Sequence, residues 1–514
     1  MMFSQLNIVD LFRLILTSLT CGMLFSIFYK TIKRQRMLPP GPWGIPLLGS
    51  LPWTGNGSPH AWYLKLAARY GDLTSVKLGT NLVICIGSAR LLRDLFNRPD
   101  STDRPHTPLN NLMGGRGIVL SEGLLWKKQR QFLFEKFRVL GVKLWNYQRF
   151  ESCIMVEIKE FIRSLEASAG QPVNPVVQLG RHVHNVICQL MMSFRFKEND
   201  PEFLAFNERV SKGMELFGSI YIGEHVPSYL YLPGKMAVLE EIRQNLRLVS
   251  EFHTRHVTQR REQLLNTAEQ REPADLLDYY LLELQKETDS GSKLFHGVDP
   301  VEQIVQVMND LFSAGMETSR TTLVWTLVMM LREPAVADKV RHDLEQVLEP
   351  GALVTLEHRH KLPYLEAVIF ETLRIVSVVP LGTTHVNTTA WQVGDYIIPA
   401  GSHLVPLLNK INMDPELFPE PDKFTPERFM VGDRLHLPDT FLPFGVGRRV
   451  CLGEQLARIE LFLFFSNMMN SFEFSLPEGQ PMPELEGSVG TTHAPLPFNL
   501  VFRKVELVDR SSRG

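Results

Sequence analysis

Phe444-Gly-Val-Gly447-Arg-Arg449-Val-Cys451-Leu-Gly453 stands near the end of the 514-residue chain, just before a strongly apolar run from Leu456 to Phe465. It reads as a tight loop holding one cysteine, followed by a helix. Its glycines permit backbone angles and close approaches that a β-carbon forbids. A flat cofactor can therefore lie against the loop with Cys451 aimed at its centre. Arg448 and Arg449 put positive charge beside the sulfur, which favours thiolate, the form that ligates metals. A lone cysteine is by default a small buried hydrophobe. The frame of Phe444, three glycines and arginine sets this one apart.

Upstream lie pieces whose chemistry is less local. Asp299-Pro300-Val-Glu302 is a helix start with its N-cap, N1 proline and N3 acid in place. The helix it opens continues to Arg332, just before Glu333-Pro334. At about 30 residues it far exceeds the usual length of about 11–12, so it crosses the whole domain. Within it sits Ala314-Gly315-Met316-Glu317-Thr318. Gly315 in mid-helix costs about 1 kcal/mol against alanine, which a flat ligand packed on the helix would explain. Thr318 can return its hydroxyl to the Ala314 carbonyl, bending the helix and opening a groove. Glu371 and Arg374 share a helix face at i, i+3, and Pro426-Glu-Arg428-Phe429 follows later. Trp126 and Arg130, four apart, also share a face. Taken alone they are a half-buried ring and a solvated cation.

Composition bounds the rest. Hydrophobic residues make up 44% of the chain and the net charge is −2, which argues against nucleic acid as an electrostatic partner. Five scattered cysteines without zinc-type spacing fit a reducing compartment. Residues 14–29 are uncharged and mostly apolar, and Lys30, Lys33, Arg34 and Arg36 follow. A signal peptide carries its charge before the apolar run. The reverse order favours a retained single-span anchor with the bulk of the chain in the cytosol. The expected division is an anchor and basic flank over 1–37, a stiff proline-rich hinge over 38–59, a body over 60–508 and a disordered tail over 509–514. In the body, residues 60–70 read as a helix, 72–78 and 82–86 as paired strands, and 101–122 as a long loop. Residues 217–233 read as aromatic loop and 286–297 as exposed linker.

The cysteine loop, the Ala314–Thr318 block, Glu371-x-x-Arg374, Pro426–Phe429, Trp126-x-x-x-Arg130 and the Pro39–Gly49 hinge occur in the order found in the cytochrome P-450 family. The chain resembles its microsomal haem-thiolate monooxygenases over nearly its whole length. That resemblance implies a mainly α fold with small β-sheets, the haem lying between the long central helix and the cysteine loop. It implies haem b, iron protoporphyrin IX, with Cys451 as the iron ligand. Trp126, Arg130 and Arg449 then serve the propionates. His385, which by its residues alone could be a metal ligand, a propionate partner or a surface group, joins them. Ala314, Gly315, Phe444 and Gly453 line the cofactor. Thr318 holds water and protons near dioxygen and Glu317 feeds them, while Glu371, Arg374 and Arg428 form a charge network that locks the cysteine loop. Because Arg130, Arg374 and Arg449 must converge, one large domain is expected.

No GxGxxG or flavin motif is visible. Electrons are therefore expected from NADPH through a separate NADPH-cytochrome P-450 reductase in the endoplasmic reticulum membrane, with cytochrome b5 as an optional second donor. The basic run Lys127, Lys128 and Arg138 is a docking face for such a donor. Segments 377–385 and 441–490 are most similar to arthropod ecdysteroid side-chain hydroxylases. The resemblance thus points to a lipophilic substrate of the steroid class. A broad oxidase of foreign lipophiles and a haem-thiolate isomerase or dehydratase remain the alternatives.

Overall fold

The computed structural model describes residues 12–22, 36–54, 59–142, 148–198, 200–266, 272–290, 293–349 and 351–505. The expected anchor is therefore described only in part, and the tail from 509 lies outside the described residues. Residues 12–22 are helical. Among the described residues no helix is long and apolar enough to cross a membrane.

Seven helices bear on the site: α1 (Ala89–Phe96), α2 (Gly123–Val139), α3 (Pro175–Met192), α4 (Pro201–Ser219), α5 (Pro300–Arg332), α6 (Pro363–Val376) and α7 (Glu454–Ser471). Their ends follow from local chemistry. Ser88 caps α1 by accepting the Leu91 N–H, and Asn174 caps α3 by accepting that of Val176. For α5 the Asp299 carboxylate accepts the Glu302 N–H at 2.8 Å, and Pro334 stops it by lacking the N–H that another turn needs. Glu302 does not complete a capping box; its carboxylate pairs with Arg116 at 2.5 Å. Helix α5 runs through the centre, with a continuous buried face from Met316 to Met330.

One four-stranded sheet contributes to the site: β1 (Leu73–Leu78), β2 (Asn81–Ile86), β3 (His385–Val386) and β4 (His403–Pro406), in the order β1-β2-β4-β3. β1 and β2 pair antiparallel about Gly79-Thr80, β2 runs parallel to β4 with Ile84 opposite Leu404, and His385 also faces Leu404. The remaining strands form two-stranded ribbons, among them Ser488–Val489 with His493–Ala494. The helical fold with small sheets agrees with expectation. The principal apolar core draws on residues from Ile118 to Phe502.

Two expectations are corrected. The stretch 286–297 is not an exposed linker: a helix runs to Ser290, Leu294 and Phe295 are buried, and the Leu294 carbonyl accepts from Gln129. The stretch 217–233 is not loop but the end of α4, a short helix at Tyr221–His225 and a 3₁₀ turn at Pro227–Tyr231. The proline-rich segment lies against the sheet. Ser75 of β1 donates its hydroxyl to the Pro39 carbonyl at 2.6 Å and its N–H to that of Pro40, and Gly49 bridges to Leu78.

Candidate active site

The cysteine loop is held from within and from α1. The Cys451 N–H returns to the Phe444 carbonyl at 3.0 Å, and the Arg448 N–H reaches the Phe96 carbonyl at 3.1 Å. Gly445 and Gly447 have φ of 75° and 83°, the left-handed region. A β-carbon on Gly447 would fall 2.2 Å from the Phe96 carbonyl oxygen. The glycine thus answers to α1 packing closely against the loop, rather than to a flat ligand lying on it. Cys451 opens onto a cavity of about 340 Å³.

The charges beside the sulfur are not those expected. Arg448 turns outward to the Asn97 carbonyl, and Arg449 points away to the carbonyls of Thr102, Val119 and Ser121. Burial pushes the Cys451 thiol above its ordinary range, the Gly453 N–H pulls it down, and the cation that acts on it is Arg130. A bound metal cation would add to the groups that favour thiolate at this position.

Three guanidinium groups meet at one end of the cavity. Arg130 of α2 donates to the Val450 carbonyl at 2.6 Å. Arg449 stacks over the Trp126 ring at 4.4 Å. The third, Arg104, escaped the sequence reading; it donates to the carbonyls of Val119 and Thr384 at 2.9 and 2.8 Å. Among the described residues none of the three forms an ion pair. Burial, followed by mutual repulsion, depresses Arg104 and Arg449 from the ordinary arginine range. Crowded buried cations held only by carbonyl dipoles make a site for an anion with two carboxylates. His385 completes this end. It stacks on Phe96 at 4.0 Å, bonds through Nδ1 to the Ser101 carbonyl and is kept neutral by burial. A sulfur at the floor, apolar walls and a triple-cation rim fit a flat dicarboxylate metal macrocycle such as haem.

The opposite wall is α5. Ala314, Gly315, Thr318 and Ser319 line the cavity, and Thr318 returns its hydroxyl to the Ala314 carbonyl at 2.8 Å. A β-carbon on Gly315 would sit 2.9 Å from Ile187 Cδ1, so this glycine makes room for α3 as well as for the cavity. Glu317 lies elsewhere. It is not among the lining residues, and its carboxylate is engaged by Arg320 and Thr321. Two further acids went unread. Asp310 is buried at the cavity wall, where Oδ2 accepts the N–H groups of Ile118 and Val119 at 2.7 and 2.9 Å; burial raises its carboxyl to about 6. Glu460 of α7 accepts from Ser319 at 2.9 Å, and burial raises it to about 8. A charge in the apolar stripe of α5 was the signal for Asp310. Arg104 sits in an aperiodic loop that offered none.

Behind the cysteine loop, Glu371 is bridged by Arg374 through two bonds of 2.7 and 2.8 Å. Its Oε1 also accepts from Arg428 at 3.0 Å and from the Thr425 N–H at 2.8 Å. Arg374 reaches on to the carbonyls of Asn412 and Pro421. The network thus pins residues 412–428 directly. It meets the cysteine loop through aromatic packing, with Phe429 and Phe441 centred 4.7 Å apart.

Comparison with known proteins agrees with this geometry. The family model described as Cytochrome P450 matches residues 39–502. Cytochrome P450 18a1 of Drosophila melanogaster is 42% identical over 482 residues, covering 92% of this chain and 88% of the relative. Cytochrome P450 2U1 of Rattus norvegicus is 32% identical over 513 residues, covering 95% and 94%.

Proposed function

The chain belongs to the cytochrome P450 family of monooxygenases, and from that premise we propose that it hydroxylates a lipophilic steroid, at the side chain of an ecdysteroid. The observation that carries the reading is the single cavity wall-to-wall arrangement of Cys451, the three arginines and the Ala314–Thr318 groove. Support for the steroid class comes from segments 377–385 and 441–490 and from the apolar side chains Ile118, Val119, Leu311, Val378 and Val379 around the cavity.

Haem b, when bound, supplies dioxygen activation and the insertion of one oxygen atom, the other leaving as water with two electrons and two protons. The chain's own residues do the rest. Cys451 would offer the sulfur that holds the iron, with Arg130 and the Gly453 N–H favouring its thiolate. Arg104, Arg130 and Arg449 would hold the two propionates, with neutral His385, its one N–H given to the Ser101 carbonyl, packed beside them. The apolar wall excludes water and presents a substrate C–H to the groove. Thr318 keeps a hydroxyl in the groove to hold water at the point where protons are consumed, and Glu317 one residue earlier supplies them. Electrons come from NADPH through NADPH-cytochrome P-450 reductase, with cytochrome b5 as a second donor.

Association with the endoplasmic reticulum membrane is part of this reading. The apolar run 14–29 with its basic flank supports it. So do exposed apolar side chains at Trp43, Leu47, Trp53, Tyr231 and Leu232, drawn together because the Gly79 N–H bonds Leu48 while Gly79 abuts His225.

The test is a spectral titration of the purified holoprotein with ecdysteroids and with unrelated lipophiles, following displacement of iron-bound water. Saturable micromolar shifts confined to ecdysteroids are expected. Equal responses to all ligands would favour the broad oxidase instead. Thr318→Ala should keep the ligand response but divert reducing equivalents to hydrogen peroxide, whereas an isomerase would be indifferent.

A further inference from the structure

Resting on the proposal that Glu317 delivers protons beside Thr318, we propose that Arg320 is a positioning residue for that delivery, holding the Glu317 carboxylate out of the cavity and tying it to α4 through Asn207. Successive helical residues point about 100° apart, so when Thr318 faces the cavity Glu317 faces the flank of α5. There Arg320 Nη2 donates to Glu317 Oε2, and both side chains are almost fully buried. Arg320 Nη1 donates to Asn207 Oδ1 at 3.1 Å, across the gap to α4. Thr321 donates to Glu317 Oε1 at 3.3 Å, and Thr492, beside the Ser488–Ala494 ribbon, approaches at 3.5 Å. Gly180 of α3 lies alongside the arginine, where a β-carbon would make an ordinary van der Waals contact with Arg320 Cδ at 3.5 Å.

A buried ion pair yields little net stability, because desolvating both charges offsets their attraction. Arg320 is not even fully satisfied: among the described residues its Nε finds no acceptor. Stability is thus a weak reason for an arginine inside the stretch Thr318–Met330, which is otherwise apolar or hydroxyl-bearing. Its reach supplies a better one, for a single planar group holds both the acid and the neighbouring helix. α4 runs on into Tyr221–His225, where Glu224 accepts the Leu109 N–H at 3.0 Å from the 101–122 segment. The chain that seats Arg320 is therefore also the chain that braces that segment. Glu317 reaches the groove only by leaving Arg320, and the position of α4 governs how readily it leaves. A further titratable group facing this cluster is His184 of α3, which feels Arg320 and which burial keeps neutral.

The experiment uses full-length holoprotein and four forms: wild type, Glu317→Gln, Arg320→Met and the double variant. Infrared spectroscopy reads the protonated carboxyl stretch across the neutral pH range. Arg320→Met should show an added band that the double variant removes, over the contributions of Glu460 and Asp310 that all four forms share. Reconstituted with reductase and NADPH, Arg320→Met should change peroxide released per NADPH by about threefold or more, and this change should vanish when Glu317 is already Gln. Asn207→Leu, which spares the ion pair, should shift peroxide release in the same direction by less, and a null result there overturns the tie to α4. Additive effects of Glu317→Gln and Arg320→Met, or no new band, would overturn the proposal while leaving the role of Glu317 intact. If Glu317→Gln alone leaves peroxide release unchanged, it is the proton role of Glu317 that fails, and the Arg320 inference falls with it.

Discussion

At Gly447 one methyl group decides whether the cysteine loop closes. The position combines a left-handed φ with a β-carbon that would collide with the Phe96 carbonyl, so Gly447→Ala should cost more than about 1 kcal/mol. Thermal denaturation of the holoprotein should show a lowered midpoint and faster haem loss. Gly445 has a similar φ but open space around it, so Gly445→Ala should be milder. Glu460 gives a prediction in pH. Its folded-state carboxyl is raised to about 8 from the ordinary 4.5, so the folded state holds this proton more tightly than the unfolded chain does. The contribution is complete below the ordinary glutamate range and is lost as pH climbs toward 8. Glu460→Gln should therefore match wild type near pH 5 and exceed it at pH 8, as read from denaturant midpoints. Cys451, Thr318 and Glu371 were legible because each sits in a short motif. Arg104 and Glu460 were not, since their meaning arises only from partners 15 to 280 and 141 positions away.

Among the elements, α6 shows how a motif can name its partners and still misjudge its reach. Glu371 serves three donors, Arg374, Arg428 and the Thr425 N–H. Removing it leaves buried cations uncompensated, so Glu371→Leu should destabilise by about 3–5 kcal/mol. Arg428→Met leaves the Arg374 pair intact and should cost much less. Expression with haem incorporated, scored by the Soret band of the reduced carbon monoxide complex, orders the two. Helix ends were readable wherever a cap or proline marks them, as at Asp299-Pro300 and Ser88. The ribbons at Met430–Leu435 and Ser488–Ala494 were not, because strands of two residues carry no alternation to detect. The segment 293–297 misled for another reason. Its polar look hides Leu294 and Phe295, which turn inward to seal the core beside Gln129 and Tyr280.

For the molecule as a whole, the order of motifs along the chain predicted that distant segments converge, and β2-β4-β3 pairing brings His385 to the arginine rim as that requires. What the order could not convey is the outer surface. Leu47 and Tyr231 are 82% and 77% exposed although 184 positions separate them. They belong to neighbouring segments joined at the Gly79 turn. Leu47→Glu with Tyr231→Glu should weaken cosedimentation with phospholipid vesicles severalfold while sparing the carbon monoxide spectrum.

Val119 has an arrangement with a wider consequence. Its N–H is spent on Asp310 of the long helix, and its carbonyl receives both Arg104 and Arg449. The two groups lie in successive peptide planes that meet at the Val119 α-carbon, so one residue moored on both sides links the rim to the substrate-side wall. Anion occupancy at the rim and tautness of that wall are then two readings of one mooring. Stripping the prosthetic group should slacken it, and trypsin should find Arg116 faster in the stripped protein than in the loaded one.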